Sequence, residues 1–139
     1  MSDWNQGIID QFRAHQGKVG PPFDDAPLTL VHHVGRKSGH EFVSPTFYLQ
    51  SDTDRNLMYV FATKSGAPTN PEWYRNLVHA GRADVEVGTE KFSVTVTEVT
   101  GAERDRIYAE QERRFPHFGE YQEKTAGIRT IPVLALRRS

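Results

Sequence analysis

The sequence predicts an α+β fold in which about six antiparallel strands close into a small barrel or a strongly curled sheet, with helices inserted between them. Short apolar runs rich in β-branched residues, each bounded by turn residues, predict the strands. Segments with apolar residues at helical spacing lie between these runs and predict the helices. With 139 residues, the chain is long enough for a buried core, and we predict one domain at 1–139 with an N-terminal helix and loop at 1–27.

The predicted strands form a three-stranded meander, a hairpin and a final strand. A turn at residues 35–39 joins the first two apolar runs. Pro45 lies inside the second run and cannot donate to a ladder, so that strand is an edge there or carries a bulge. In the hairpin, Phe92, Val94 and Val96 alternate with polar residues, which predicts one buried face. The predicted strands are residues 28–34, 42–49, 57–62, 84–87, 91–99 and 131–136.

The predicted helices are residues 3–15, 70–81 and 100–114. The first rests on the helical spacing of Ile8, Ile9 and Phe12. The third opens with Thr100 and Glu103 at the spacing of a capping box, in which each side chain binds the other residue's backbone N–H.

Composition and charge exclude several classes of function. The 17 basic and 18 acidic residues nearly cancel, so the chain as a whole does not attract polyanions and we predict no nucleic-acid partner. The composition is that of a soluble globular protein, which predicts no stable membrane insertion. The absence of cysteine excludes disulfides and thiolate chemistry, and with no signal peptide visible it predicts a cytoplasmic location.

Two adjacent histidines, His32 and His33, raise the question of a metal site. Neighbouring side chains in a strand point to opposite faces, so the two histidines cannot easily share one ion. Because neither cysteines nor clustered carboxylates join them, we predict no metal. No Ser-His-Asp order and no carboxylate pair stands out, so hydrolysis is not predicted.

The turn at 35–39 reads Gly-Arg-Lys-Ser-Gly and carries two adjacent cations, Arg36 and Lys37. One interpretation is a solvated hairpin tip, where glycines supply positive φ and the charges keep the edge soluble. The other is that the guanidinium and ammonium groups grip a phosphate or carboxylate. Spacing alone leaves both open.

A second basic loop, Lys-Ser-Gly-Ala-Pro at 64–68, follows the third strand and leads into the second helix. A loop of small residues at a helix N-terminus presents free N–H groups and a favourable dipole to an anion. The alternative is an ordinary strand-to-helix connection with Trp73 in the core. Two cationic loops at strand ends suggest one anionic ligand. The pattern is neither a Walker loop nor a Rossmann GxGxxG, so those nucleotide folds are not predicted.

Three aromatic residues, Phe115, Phe118 and Tyr121, recur every third position after the third helix. Their spacing is compatible with a helical turn or with an irregular lid. Such rings serve either in core packing or as a stacking wall for a flat ligand.

Several motifs together carry a resemblance to a known family, and they span nearly the whole chain. They are residues 35–39, 64–68, 70–77 (Asn-Pro-Glu-Trp-Tyr-Arg-Asn-Leu), 121–125 and 131–133. On these motifs the sequence resembles the deazaflavin-dependent nitroreductase family, the split β-barrel oxidoreductases of actinobacteria that use coenzyme F420. The block from 64 to 77 is the most specific part of the match.

The resemblance implies a split β-barrel of the FMN-binding type, with a groove that holds the deazaflavin. The basic residues would lie near its phosphate or oligoglutamate tail, with backbone donors from residues 65–67. The residues implied to bind the cofactor are Arg36, Lys37, Ser44, Pro45, Thr63, Lys64, Ser65, Gly66, Ala67, Asn70, Pro71, Trp73 and Tyr74.

The resemblance further implies that the reduced coenzyme gives a hydride from its C5 to an electron-poor acceptor, such as a quinone, a nitro compound or an activated C=C bond. The substrate pocket would be formed by Phe47, Phe115 and Phe118, with Tyr121 as proton donor or substrate wall. Relatives often carry tyrosines where this chain has Phe115 and Phe118, which leaves Tyr121 as the phenol of that set.

Two alternative functions remain, and the oligomeric state is open. The same barrel could serve an FMN-dependent oxidoreductase, because a basic loop suits either phosphate. It could also be a non-enzymatic carrier of a tetrapyrrole, a fatty acid or the coenzyme itself, since fold does not fix function. A homodimer is compatible with the resemblance as well.

Overall fold

The computed structural model describes residues 2–20, 23 and 26–139. Its elements, in chain order, are α1 (Ser2–Ala14), β1 (Leu28–Val34), β2 (Glu41–Gln50), β3 (Leu57–Phe61), a 3₁₀ turn (Lys64–Gly66), α2 (Glu72–Ala80), β4 (Arg82–Val87), β5 (Glu90–Val99), α3 (Gly101–Arg114), α4 (His117–Thr125) and β6 (Val133–Arg138). The strands pair antiparallel in a closed barrel with the neighbour order β1-β2-β3-β6-β5-β4. The predicted α+β fold of about six antiparallel strands with inserted helices is confirmed.

Most predicted elements lie within a few residues of the observed ones. One question that the sequence left open is settled, and one detail differs. The aromatic segment after α3 is a regular helix, α4, rather than an irregular lid. The prediction of a capping box at the start of α3 is wrong, because the Thr100 side chain makes no capping hydrogen bond. The Oε2 atom of Glu103 lies 3.9 Å from Arg106 Nη2 instead. Gly101, directly after Thr100, has a φ of +66°, and this left-handed turn leads the chain into α3. None of the described helices has the length and apolarity needed to cross a membrane.

The edge predicted at Pro45 is confirmed. Pro45 lies opposite Leu30 of β1. On its other side, β2 pairs with β3 only from Tyr48 to Gln50. The proline therefore takes the unpaired edge, where a missing N–H costs no ladder bond.

Buried residues form three packed clusters that fix where a groove can exist. Residues of several strands, among them Val31, Val60 and Val85, pack together with Leu77 of α2. Residues of α1 cover β1, with Ile8, Ile9 and Phe12 in one cluster with Leu28 and Leu30. Residues of α3 and α4 cover β3 and β6, with Ile107, Tyr108 and Phe118 in one cluster with Phe61 and Val133. The part of β2 that pairs only with β1 lies between the layer formed by α1 and the layer formed by α3 and α4.

The C-terminal end of α1 is fastened to β4. Arg13 donates to both carboxylate oxygens of Glu86, at 3.2 and 2.7 Å, and the Nε2 atom of His32 lies 2.6 Å from the same carboxylate. The Arg13 hydrogen bond lowers the pKa of Glu86 below its ordinary value. Just beyond the helix, Gly17 (φ +93°) packs so closely on Gly88 that an added Cβ would lie 2.8 Å from its Cα.

Gln111 of α3 is completely buried, and within the described parts of the chain neither its Oε1 nor its Nε2 atom has a hydrogen-bond partner. We expect Gln111→Met to raise the free energy of unfolding by about 1 kcal/mol, because it keeps the length of the side chain and removes two unpaired polar atoms. Urea unfolding followed by circular dichroism measures the change. Gln50→Met is the matched control, since Gln50 donates to Asp54 and Leu57; it should not stabilise, and a destabilised Gln111→Met protein would contradict the expectation.

Candidate functional site

Two cavities adjoin along β2. The turn cavity, of about 680 Å³, lies between α1, the 35–39 turn and α2, and its lining includes His33, Arg36, Lys37, Phe42, Ser44 and Asn76. The aromatic cavity, of about 370 Å³, lies between β2, the 64–68 loop and α4, and its lining includes Ser44, Phe47, Lys64, Trp73, Phe118 and Tyr121. Both include Asn5 and Ser44 in their walls, so the two cavities adjoin at these residues, and together they are called the groove.

The 64–68 loop has an unusual backbone. Lys64, Ser65 and Gly66 are three consecutive residues with φ values of 47°, 55° and 81°. A Cβ on Gly66 would lie 2.7 Å from Lys124 Cδ and 3.4 Å from Tyr121 Cα. The close backbone approach that Gly66 permits is thus made to α4, which joins the loop to the helix that carries Tyr121.

The backbone donors of this loop divide into used and available ones. The N–H groups of Gly66 and Ala67 donate to Thr63 O at 2.9 Å and Lys64 O at 3.1 Å. In the described chain, no intramolecular acceptor meets the N–H of Lys64 or Ser65. Successive N–H groups in a right-handed then left-handed backbone form a concave anion site, and Thr63 is right-handed directly before Lys64. The donor predicted at Ser65 is available, and that of Lys64 joins it.

Arg129, which the sequence pattern did not single out, holds the whole loop in place. Its guanidinium donates to the carbonyl oxygens of Ala62, Thr63 and Ala67 at 3.2, 2.9 and 3.0 Å, and to Asn70 Oδ1 at 2.8 Å. Burial lowers the pKa of Arg129, although a guanidinium stays protonated in proteins. One half-buried side chain therefore fixes both ends of the segment from 62 to 70.

At the 35–39 turn, the two cations have different surroundings. Arg36 Nη1 donates to Glu72 Oε1 at 2.9 Å and to Asn76 Oδ1 at 3.2 Å, and the Arg36 N–H donates to the same Asn76 oxygen at 3.1 Å. The Arg36 hydrogen bond lowers the pKa of Glu72. Arg36 thus ties the turn to α2 and is neither simply solvated nor freely available to an anion, whereas Lys37 is exposed on the cavity wall.

The two histidines of β1 face different partners, as the strand geometry predicted. His32 lies against Glu86, while His33 Nε2 lies 2.9 Å from Ser44 Oγ and His33 Nδ1 lies 3.0 Å from Asn76 Nδ2. His33 is 6% exposed, and burial, followed by the charge of His32, lowers its pKa to about 4. No group of three or more metal-ligating side chains occurs in the residues that the structure describes.

The aromatic wall is built around Phe47. Phe118 is 2% exposed and packs edge-on against Phe47 and Phe61, with ring centroids 5.4 and 5.7 Å apart. The Tyr121 ring lies 5.5 Å from Phe118 on the cavity side. Phe115 packs behind Phe47 at 5.3 Å and does not line the cavity.

The groove brings together most, not all, of the residues predicted for it. Tyr74 points elsewhere, because its hydroxyl donates to Glu98 Oε1 at 2.9 Å, and burial together with this bond raises the pKa of Tyr74 to about 12. Asn70 receives the Arg129 bond, and neither it nor residues 66–67 line the groove. The predicted residues that do line it are Arg36, Lys37, Ser44, Pro45, Phe47, Thr63, Lys64, Ser65, Pro71, Trp73, Phe118 and Tyr121.

A family model described as F420H(2)-dependent quinone reductase matches residues 4–138. The chain belongs to this family. The reductase is therefore an oxidoreductase that depends on reduced coenzyme F420 and passes electrons to a small-molecule acceptor. The family resemblance seen in the sequence is confirmed.

Relatives of the reductase agree with this assignment. A protein of Mycobacterium tuberculosis, provisionally named an F420H(2)-dependent quinone reductase, is 35% identical over 111 residues, which are 80% of this chain and 89% of that protein. A solved structure described as an F420-H2 dependent reductase, FDR-A, is 28% identical, with a TM-score of 0.69 over 80% of this chain and 94% of its own. Another, described as a domain-swapped dimer, is 26% identical, with a TM-score of 0.71 over 98% of both chains.

The residues of the groove fit the coenzyme that the family uses. A deazaflavin combines a flat ring system with an anionic phosphate and glutamate tail. The aromatic cavity offers Trp73, Phe47 and Tyr121 to a flat ring. The available N–H groups of Lys64 and Ser65 and the ammonium of Lys37 are donors suited to phosphate and carboxylate oxygens. The groove therefore offers an aromatic surface suited to the flat ring and donors suited to the anionic tail.

Proposed function

We propose that this reductase transfers a hydride from reduced F420 to a quinone, with the deazaflavin ring in the aromatic cavity and the anionic tail along the 64–68 loop and the turn cavity. The observation that carries the proposal is that the two cavities share Asn5 and Ser44 in their walls. An aromatic compartment therefore adjoins a cationic one, in the order of the coenzyme's own parts. Lys37, Ser44, Pro45, Thr63, Lys64, Ser65, Pro71 and Trp73 are the proposed coenzyme contacts, whereas Arg36 is bonded to Glu72 and Asn76.

When bound, the coenzyme supplies the hydride from C5, and the chain supplies position and protons. Trp73 and Phe47, which line the aromatic cavity, would hold the flat ring against β2 and would limit the access of water to it. A quinone that accepts a hydride on one oxygen also takes up one proton to become a hydroquinone. Tyr121, the phenol on the α4 side of the cavity, is proposed to donate that proton or to hydrogen-bond the acceptor oxygen.

Phe118 favours quinones over nitroimidazoles as acceptors. Because Phe118 is buried among aromatic rings, it adds packing and no hydrogen-bond donor. An aromatic pocket with one phenol suits an apolar ring whose charge develops on a single oxygen. We propose menadione-like quinones as the substrate class, with nitro compounds as poorer acceptors.

Titration of the purified protein with F420 and with FMN, followed by stopped-flow oxidation of the bound reduced coenzyme by menadione, tests the proposal. Tight F420 binding and rapid oxidation are expected. No affinity for F420, or a clear preference for FMN, would overturn the cofactor assignment. Binding without turnover across quinones and enones would point instead to a carrier.

Lysines at the groove should contribute to coenzyme affinity through its anionic tail. Lys37→Met and Lys64→Met are each expected to weaken F420 binding by about 1.5–3 kcal/mol, roughly 10-fold or more, if each loses one charge-assisted contact. Fluorescence titration at two salt concentrations measures this, and the loss should shrink at high salt. Lys91→Met, at an exposed site on β5, is the matched control. Equal F420 affinities for all three variants would show that neither Lys37 nor Lys64 contacts the coenzyme.

We also propose that the reductase forms a homodimer, because a relative of similar length is described as a domain-swapped dimer. Light scattering after size-exclusion chromatography tests this, and a monomer at micromolar concentration contradicts it. A cytoplasmic location remains a prediction from the sequence.

A further inference from the structure

A partly buried series of hydrogen bonds runs from the 35–39 turn to the groove. It links Arg36, Asn76, His33 and Ser44 through contacts of 3.2, 3.0 and 2.9 Å. Asn76 and His33 are 4% and 6% exposed. Ser44 is the last residue of this hydrogen-bonded series, and it lines both cavities.

The donor and acceptor in each of these hydrogen bonds follow from Arg36, the first residue of the series. The Arg36 side chain carries only donors, and both its Nη1 group and the Arg36 backbone N–H point at Asn76 Oδ1. The Asn76 amide is thereby oriented with its NH₂ group toward His33. His33 Nδ1 must then accept the Asn76 hydrogen, which leaves the proton of a neutral imidazole on Nε2. The low pKa of His33 keeps the ring neutral at ordinary pH.

The same logic continues to Ser44. His33 Nε2–H donates to Ser44 Oγ, so the hydroxyl uses a lone pair toward the histidine. A hydroxyl has one hydrogen of its own, and across the described chain that hydrogen has no acceptor. It is free to donate to a group that enters the groove.

We infer that Arg36, Asn76 and His33 act as positioning residues that orient the Ser44 hydroxyl as a hydrogen-bond donor to an oxygen of the bound coenzyme. The inference rests on the proposed function for its ligand. The acceptor belongs to the part of the coenzyme at the cavity junction, between the flat ring and the anionic tail. Arg36 then has a different role from anion binding, because its guanidinium acts through Asn76 and Glu72 and not on the ligand.

A double-mutant cycle on the full-length protein tests the coupling, with F420 affinity from fluorescence titration as the readout. Ser44→Ala and His33→Leu are each expected to weaken binding about three- to tenfold, the range for one neutral hydrogen bond. In the Ser44→Ala background, His33→Leu should change affinity by less than about twofold, because its target is gone. His33→Gln, which can place an amide N–H near the position of Nε2, should recover most of the affinity.

A second measurement does not depend on how the variants fold. Nitrogen-15 spectra of the wild-type imidazole should show His33 as the neutral Nε2–H tautomer between pH 5 and 8. The Nδ1–H tautomer, or additive effects in the cycle, or unchanged affinity in Ser44→Ala, would overturn the inference alone. Failure of the wild type to bind F420 or FMN would overturn the proposed function and this inference with it.

Discussion

Arg129→Met is expected to lower the free energy of unfolding by about 3 kcal/mol and to weaken coenzyme binding by at least tenfold. Four hydrogen bonds are lost together, and in three of them the Arg129 guanidinium donates to a backbone carbonyl oxygen of the segment from 62 to 70. These oxygens lose a charged donor and have to be met by water. The left-handed conformations at Lys64 and Ser65 are costly by themselves, so the loop should relax and its available N–H groups should no longer converge.

Two further variants separate this effect from a general loss of charge. Arg129→Lys keeps the cation but cannot reach four acceptors at once, so it should recover only part of the stability and affinity. Arg113→Met removes an exposed arginine of α3 that pairs with Glu110, and a change of less than about 0.5 kcal/mol is expected. Thermal unfolding and F420 titration are the measurements. If the Arg129→Met protein is as stable as the Arg113→Met protein, the 64–68 loop does not depend on the Arg129 hydrogen bonds.

Stability should fall by about 2 kcal/mol between pH 7 and pH 5 on account of His33. Its pKa is lowered to about 4 in the folded protein, against about 6.5 in an unfolded chain. Between these values the unfolded state binds more protons, so protonation favours unfolding. The contribution is complete above the unfolded pKa and is lost as the pH falls toward the folded one.

The variant His33→Gln isolates this contribution, because it removes the titrating ring and keeps a polar side chain. Its unfolding free energy should depend much less on pH over the same interval. His15→Gln, at an exposed position after α1, should keep the wild-type slope. Urea unfolding at several pH values provides the numbers, and parallel slopes for wild type and His33→Gln would disprove the assignment. Glu72 and Glu86, whose pKa values are lowered, affect stability mainly below this range.

The barrel could be predicted from sequence because its signals are local. Alternating apolar residues, turn glycines and Pro45 each report on their own strand, and the observed strands differ from the predicted ones mostly at their ends. The capping box failed because its pattern says nothing about the φ of Gly101. The aromatic segment was ambiguous because a spacing of three fits both a helical turn and an irregular lid. In the structure it is the helix α4, in which Phe118 packs in the core and Tyr121 lines the cavity.

The groove was predicted in outline, and its exceptions have physical causes. Neighbouring residues on a helix point about 100° apart, so Trp73 and Tyr74 cannot both face the same cavity, and Tyr74 turns to Glu98. Arg129 could not be found, because its partners are mostly backbone carbonyls about 60 positions away that leave no trace in side-chain patterns. Arg36 was singled out for its charge, whereas its bonds to Glu72 and Asn76 depend on how α2 packs against the turn.

The one-sided pairing of β2 bears on how the protein is best produced. Upstream of Tyr48 this strand pairs with β1 alone within the described chain, and an open strand edge is a template on which another chain can add a strand. Pro45 removes one donor from that edge, but its neighbours keep theirs. A ligand seated in the groove covers the same edge. Expression hosts that make the deazaflavin should therefore yield more soluble protein than hosts that lack it.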